Sequence, residues 1–154
     1  MRLDLHPPTG VGPADIGVSL GEAEAALAAL GDVVTPDPLR PRQRGFVPFQ
    51  SGLSIALHGD GDGNVVAVEV YRSDDDSVLF DGTDVFRTSA DEVIALLESR
   101  TRIRQEEDGR TVVAPELSMS LWRGTLPEFP GDEDGRYFES ALVAKAGYFG
   151  TPGE

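Results

Sequence analysis

The run Gly17-Val18-Ser19-Leu20-Gly21 has the G-x-S-x-G spacing of a nucleophile elbow, the strained turn that presents a serine hydroxyl to a histidine base. That chemistry needs a buried strand feeding the turn and a triad histidine late in the chain. The segment before Ser19 holds Gly10, Gly12 and Pro13 and reads as a loop, and the only downstream histidine, His58, comes ahead of most of the fold. A capping box explains the same residues. In Ser19-Leu20-Gly21-Glu22 the serine oxygen accepts from the amide three residues on and the glutamate reaches back. Ser89-Ala90-Asp91-Glu92 repeats this without flanking glycines. Ser19 is expected to cap a helix, and a serine hydrolase is set aside.

The other chemical candidates weaken in the same way. Asp60-Gly61-Asp62-Gly63-Asn64 matches the start of a calcium loop, but Val65 and Tyr71 stand where an EF-hand needs glycine and glutamate. A hairpin turn is expected there. His6 and His58 are far apart and neither has a partner at metal-ligand spacing. There is no cysteine, hence no disulfide, thiol chemistry or thiolate metal site. No glycine-rich phosphate loop with lysine occurs. Pro38-Leu39-Arg40-Pro41-Arg42 has PxxP spacing but reads as a connecting loop. No catalytic residue, metal or cofactor is assigned, and the reading leans away from an enzyme.

The elements that would position a site follow from hydrophobic period and turn chemistry. Arg2 to His6 alternates, with Leu3 and Leu5 on one face, and reads as a strand. After the first capping box, Leu20, Ala23, Leu27 and Leu30 form a helical stripe that stops at Gly31. Leu53, Ile55 and Leu57 alternate with Ser54, Ala56 and His58. With the turn at 60–64 and the strand Val65 to Tyr71 they make the clearest hairpin. Val78 to Phe80 is expected as a third strand of this meander. After the second capping box, Ala90, Val93, Ile94 and Leu97 fall at i, i+3, i+4, i+7. Strands are expected at 101–105, 110–114 and 117–122, then a long last one from Tyr137 to Gly147.

A shift of 70 residues superimposes Gly12 on Gly82, Ser19 on Ser89, Glu22 on Glu92 and Leu27 on Leu97. Leu53-Ser54-Ile55-Ala56-Leu57 likewise matches Leu117-Ser118-Met119-Ser120-Leu121. The fold class expected is α+β: two helix-then-antiparallel-meander units, with two helices packed on one face of a curved antiparallel sheet. The chain is read as a single domain over 1–150 built from units of about 1–80 and 81–150, with 151–154 a frayed tail. The run Ile16-Gly17-Val18-Ser19-Leu20-Gly21-Glu22-Ala23, closed by Leu30-Gly31 before a meander, resembles the tandem repeats of the β-lactamase inhibitor protein and the BamE-type lipoprotein domains. In the former, a concave sheet face lined by aromatics grips another protein. The chain has no cysteines, lipobox or export signal, so the resemblance implies only the architecture and a binding face.

With 27 acids against 13 bases the formal net charge is -14. Such a surface repels nucleic acid and anionic bilayers, whose binding runs on Lys and Arg contacts to phosphate, and it attracts a basic protein. No stretch approaches the ~20 apolar residues of a membrane span, and the N-terminus lacks the apolar core of a signal peptide. A cytoplasmic location is expected. If the alternating leucines point inward, the opposite face carries Ser54, His58, Ser118, Ser120 and Trp122, with Tyr71 beside them. Small polar residues with interspersed aromatics suit a protein-binding patch. The same positions also fit a merely solvated face, or a closed sheet with Trp122 in its core. The expected function is a non-enzymatic interaction domain of immunity or regulatory type that uses an acidic sheet face. A small-molecule-binding or enzymatic domain and a homodimerising module are the alternatives, so the expected partner is a protein, a basic one in the charge-based reading, or a second copy of the chain.

Overall fold

The two capping serines begin helices, as their spacing predicts. In the computed structural model, which describes residues 1–150, the Ser19 hydroxyl accepts from the Glu22 amide at 3.1 Å and the Ser89 hydroxyl from the Glu92 amide at 3.3 Å. The tail 151–154, expected to fray, lies outside the described residues. In chain order the elements are β1 (Arg2–His6), β2 (Gly10–Val11), β3 (Ala14–Asp15), α1 (Leu20–Ala28), β4 (Phe46–Pro48), β5 (Ser54–Gly59), β6 (Val65–Tyr71) and β7 (Ser77–Phe80). Then come β8 (Thr83–Asp84), α2 (Ala90–Glu98), β9 (Arg104–Glu106), β10 (Thr111–Ala114), β11 (Met119–Trp122) and β12 (Ser140–Ala144).

The expected α+β arrangement, two helices laid on one face of a single sheet, does not form. Two nine-residue helices stand against twelve strands among the described residues, and the strands make two sheets. One has the order β3-β2-β1-β7-β8 and the other β4-β5-β6-β12-β11-β10-β9, so the fold is mostly β. The second layer over the large sheet is therefore another sheet, with β2 packed against β6 and β12. Helix α1 closes one side against β3, β4 and β5.

The difference turns on β7. Instead of extending the first meander it pairs in parallel with β1, Leu3 opposite Val78 and Asp4 opposite Leu79. The place beside β6 is taken by β12, Val68 opposite Val143 and Val70 opposite Ala141. Asp76 makes the diversion: it is buried, its Oδ1 lies 2.9 Å from the α-amino nitrogen of Met1, and the Ser77 amide donates to the Met1 carbonyl at 2.9 Å. Those contacts swing the chain onto the free edge of β1.

Inward-pointing side chains of both sheets share one core. Leu3, Leu5 and Val78 from the small sheet join Ile55, Val68, Val70 and Leu121 from the large one, all under 5% exposed. In α2 the whole predicted stripe, Ala90, Val93, Ile94 and Leu97, is buried. In α1 the stripe is cut short: Leu30 is 42% exposed because the helix ends at Ala28 and Gly31 turns the chain away at φ +86°. The last strand is five residues, not eleven; after it the Lys145 amide donates to Val66 and the chain turns at Tyr148. No helix among the described residues is long and apolar enough to cross a membrane.

Candidate functional site

Alternation along the strands of the large sheet sends one set of side chains into the core and the other to an open face. Cross-strand pairing arranges the open face in rows. One row runs Ser54, Tyr71, Ser140, Trp122, Thr111. The next spans all seven strands: Phe46, Ala56, Glu69, Leu142, Ser120, Val113, Arg104. His58 begins a third row, opposite Ala67; Ala67, Ser140 and Val113 are at most 2% exposed, so the face is open only in part. Phe46, Tyr71 and Trp122 are 36%, 38% and 41% exposed, so Trp122 is not the core of a closed sheet.

Five of the six residues singled out from the sequence, Ser54, His58, Tyr71, Ser120 and Trp122, thus share this face. Ser118 does not join them as an exposed group. It is buried with φ +55° in the turn before β11, and its carbonyl accepts from the Ala144 amide at 2.8 Å. The strand itself begins only at Met119, but Met119 and Leu121 face the core as the alternation expects, and Leu117 packs against the same core from the turn. Phe46, Glu69 and Leu142 complete the face. Glu69 had a visible signal, being the only charged residue in Val65–Tyr71. Phe46 had none, since its three-residue strand emerges from a proline- and arginine-rich loop.

At the centre of the face, the Tyr71 hydroxyl donates to Glu69 Oε1 at 2.7 Å, and His58 Nε2 lies 3.5 Å from the same oxygen. Partial burial pushes the Tyr71 phenol up to about 12, helped by its hydrogen bond to Glu69 and the negative charge there. The phenol therefore stays protonated and acts as donor, and the carboxylate remains the acceptor. Four further acids lie in turns at the ends of the face, Asp60 and Asp62 beyond His58 and Glu107–Asp108 beyond Thr111.

The calcium-like segment is a turn held by its own carboxylate. Asp60 Oδ1 accepts from the Asp62 amide at 2.9 Å and the Asn64 amide at 3.0 Å. The bond from the Asn64 amide is the main reason its pKa lies below the ordinary value. The elbow-like segment is likewise occupied structurally: Gly17 and Leu20 donate to Val65 and Gly63, stitching the helix start to the hairpin.

Next to the Trp122 end lies a cleft of about 530 Å³ walled by Arg72, Thr125, Glu133, Tyr137 and Glu139. The Tyr137 ring is flanked by the Arg72 and Arg136 guanidiniums at 5.8 and 5.4 Å. Glu139 accepts from the Gly124 amide beside the Trp122 ring. Beneath this region Arg123, only 6% exposed, donates from Nε to Gly109 at 3.3 Å and from Nη1 to Gly135 at 2.9 Å. It also packs over Phe138 at 5.5 Å. Burial lowers the Arg123 pKa, and the charge of Asp91 opposes that shift. His58 and Tyr71 line neither this cleft nor those of about 280 Å³ at Ser89 and 470 Å³ at His6.

Compared with known protein families, with characterised proteins and with solved structures, the chain matches none.

Proposed function

We propose that this chain is a non-enzymatic protein-interaction domain, of immunity or regulatory type, that engages its partner through the open face of the seven-stranded sheet. One observation carries the reading: Phe46, Tyr71 and Trp122 stand on the same side of one sheet, each more than a third exposed. Single exposed apolar residues are ordinary, whereas aromatics grouped in neighbouring rows mark an interaction surface, and Tyr and Trp are the commonest anchors. His58 and Tyr71 line none of the three clefts described above, which supports contact with another macromolecule over enclosure of a small ligand.

The test is affinity capture from an extract of the parent cell with the immobilised chain and with its Tyr71→Ala/Trp122→Ala variant. A stoichiometric protein recovered by the first and lost from the second is expected. Recovery of no such protein, or equal recovery by both, would refute the reading.

A further inference from the structure

Resting on that reading, we propose that Glu69 is the anchor of the open face and receives an arginine or lysine side chain of a basic protein partner. Glu69 sits mid-row, between Ala56 on one side and Leu142 on the other, with its side chain 24% exposed. Its Oε1 is committed to the Tyr71 hydroxyl, while no hydrogen bond to Oε2 is formed among the described residues. Arg104, at the far end of the same row, is paired at 2.8 Å with Glu106, which stands opposite Thr111 on β9. Within 4 Å of Glu69, among the described residues, the only basic group is His58. A half-buried carboxylate ringed by aromatic and aliphatic groups, with one oxygen free, is complementary to a cation whose stem packs on those rings.

Charge decides between the possible occupants. The chain carries a net charge of -14, so a second copy docking face to face would bring two such charges together and set Glu69 against a like-charged surface. A basic partner is drawn to the same surface. Ser140, Val113 and Ala67 on the same face are at most 2% exposed, so the exposed part that a partner would cover centres on Glu69, Tyr71 and Trp122.

The test is an NMR titration of ¹⁵N-labelled protein with two blocked dipeptides, acetyl-Trp-Arg-amide and acetyl-Trp-Glu-amide. The arginine peptide is expected to shift the amides of Glu69, Tyr71, Leu142 and Trp122. Glu69→Gln keeps an acceptor for Tyr71 and should weaken that binding roughly three- to ten-fold. Glu22→Gln, on the exposed first turn of α1, should leave it unchanged. Equal face shifts with both peptides, or no effect of Glu69→Gln, would overturn the role of Glu69 while leaving the face as a docking surface. No face shifts with either peptide would overturn both. Sedimentation showing a dimer that Trp122→Ala dissolves would assign the face to a second copy and overturn the proposal.

Discussion

Tyr71 and Glu69, two residues apart on β6, project to the same side of the sheet and share a 2.7 Å hydrogen bond in which the phenol donates. The bond locks the orientation of both groups on an otherwise open surface. Burial first, then Glu69, raises the Tyr71 pKa from 10.0 to about 12. Replacing Glu69 by Gln is expected to bring it back towards 10, read as tyrosinate absorbance with Tyr71→Phe as the reference titration. The folded value lies above the unfolded one, so the stabilisation is complete below pH ~10 and fades as pH rises through ~12. Tyr71→Phe should show a smaller alkaline loss of stability over that window.

Asp76 has the opposite sign. Burial would raise its pKa, but the neighbouring Ser51 side chain and the Met1 amino group, 2.9 Å from Oδ1, outweigh that and hold it below the ordinary value. Its contribution is present above the unfolded value of ~3.9 and lost as pH falls through the depressed folded value. Asp76→Asn should cost about 3 kcal/mol in urea unfolding at pH 7, as expected for breaking one side of a buried pair. The gap to the wild type should narrow in acid. A gap independent of pH would contradict the ionic role.

Arg123 ties the turn at Gly109 to the loop at Gly135. Arg123→Met keeps the apolar stem but leaves both carbonyls without their donor, so a loss of about 1–3 kcal/mol is expected. Hydrogen exchange should accelerate at 107–110 and 133–136 while β5 and β6 stay protected. Unchanged exchange at both segments would show that the clamp is not what orders them.

The capping serines predict a small, symmetrical effect. Ser19→Ala and Ser89→Ala should each cost about 1 kcal/mol in thermal or chemical unfolding, and the glycine variants only a few tenths. A much larger loss at Ser19 alone would mean that the glycines around it do more than start a helix.

What could be read from the sequence was local. Ser19 and Ser89, the stripe Ala90 to Leu97 and the hairpin of Leu53 to Tyr71 each declare themselves within one turn or one period, and each forms. The partner of β7 is not declared locally. Val78 fits a meander as well as a parallel neighbour of Leu3, and the choice is made by the distant contact between Asp76 and Met1. Trp122 was legible from parity along its own strand, whereas the side of Tyr71 follows only from its pairing with Ser54 and Ser140. The burial of Ser118 was not legible, because it lies in the turn before β11 with φ +55° and not in the strand itself. Glu69 stands out as a lone charge, but its meaning depends on Tyr71 and His58 converging on a single oxygen.

The parallel seam between β1 and β7 also governs the order of assembly. On the ribosome the first strand emerges early and can form its short antiparallel ladder with β2 at once. Its other edge stays empty until Val78 has been made, about 75 residues after Leu3. The large sheet waits longer still, because β6 gains its second neighbour only when β12 arrives near the end of the chain. Closure of both seams is thus a late, long-range event. The chain belongs with the slow-folding topologies, and a nascent polypeptide exposes apolar strand edges until β12 is synthesised.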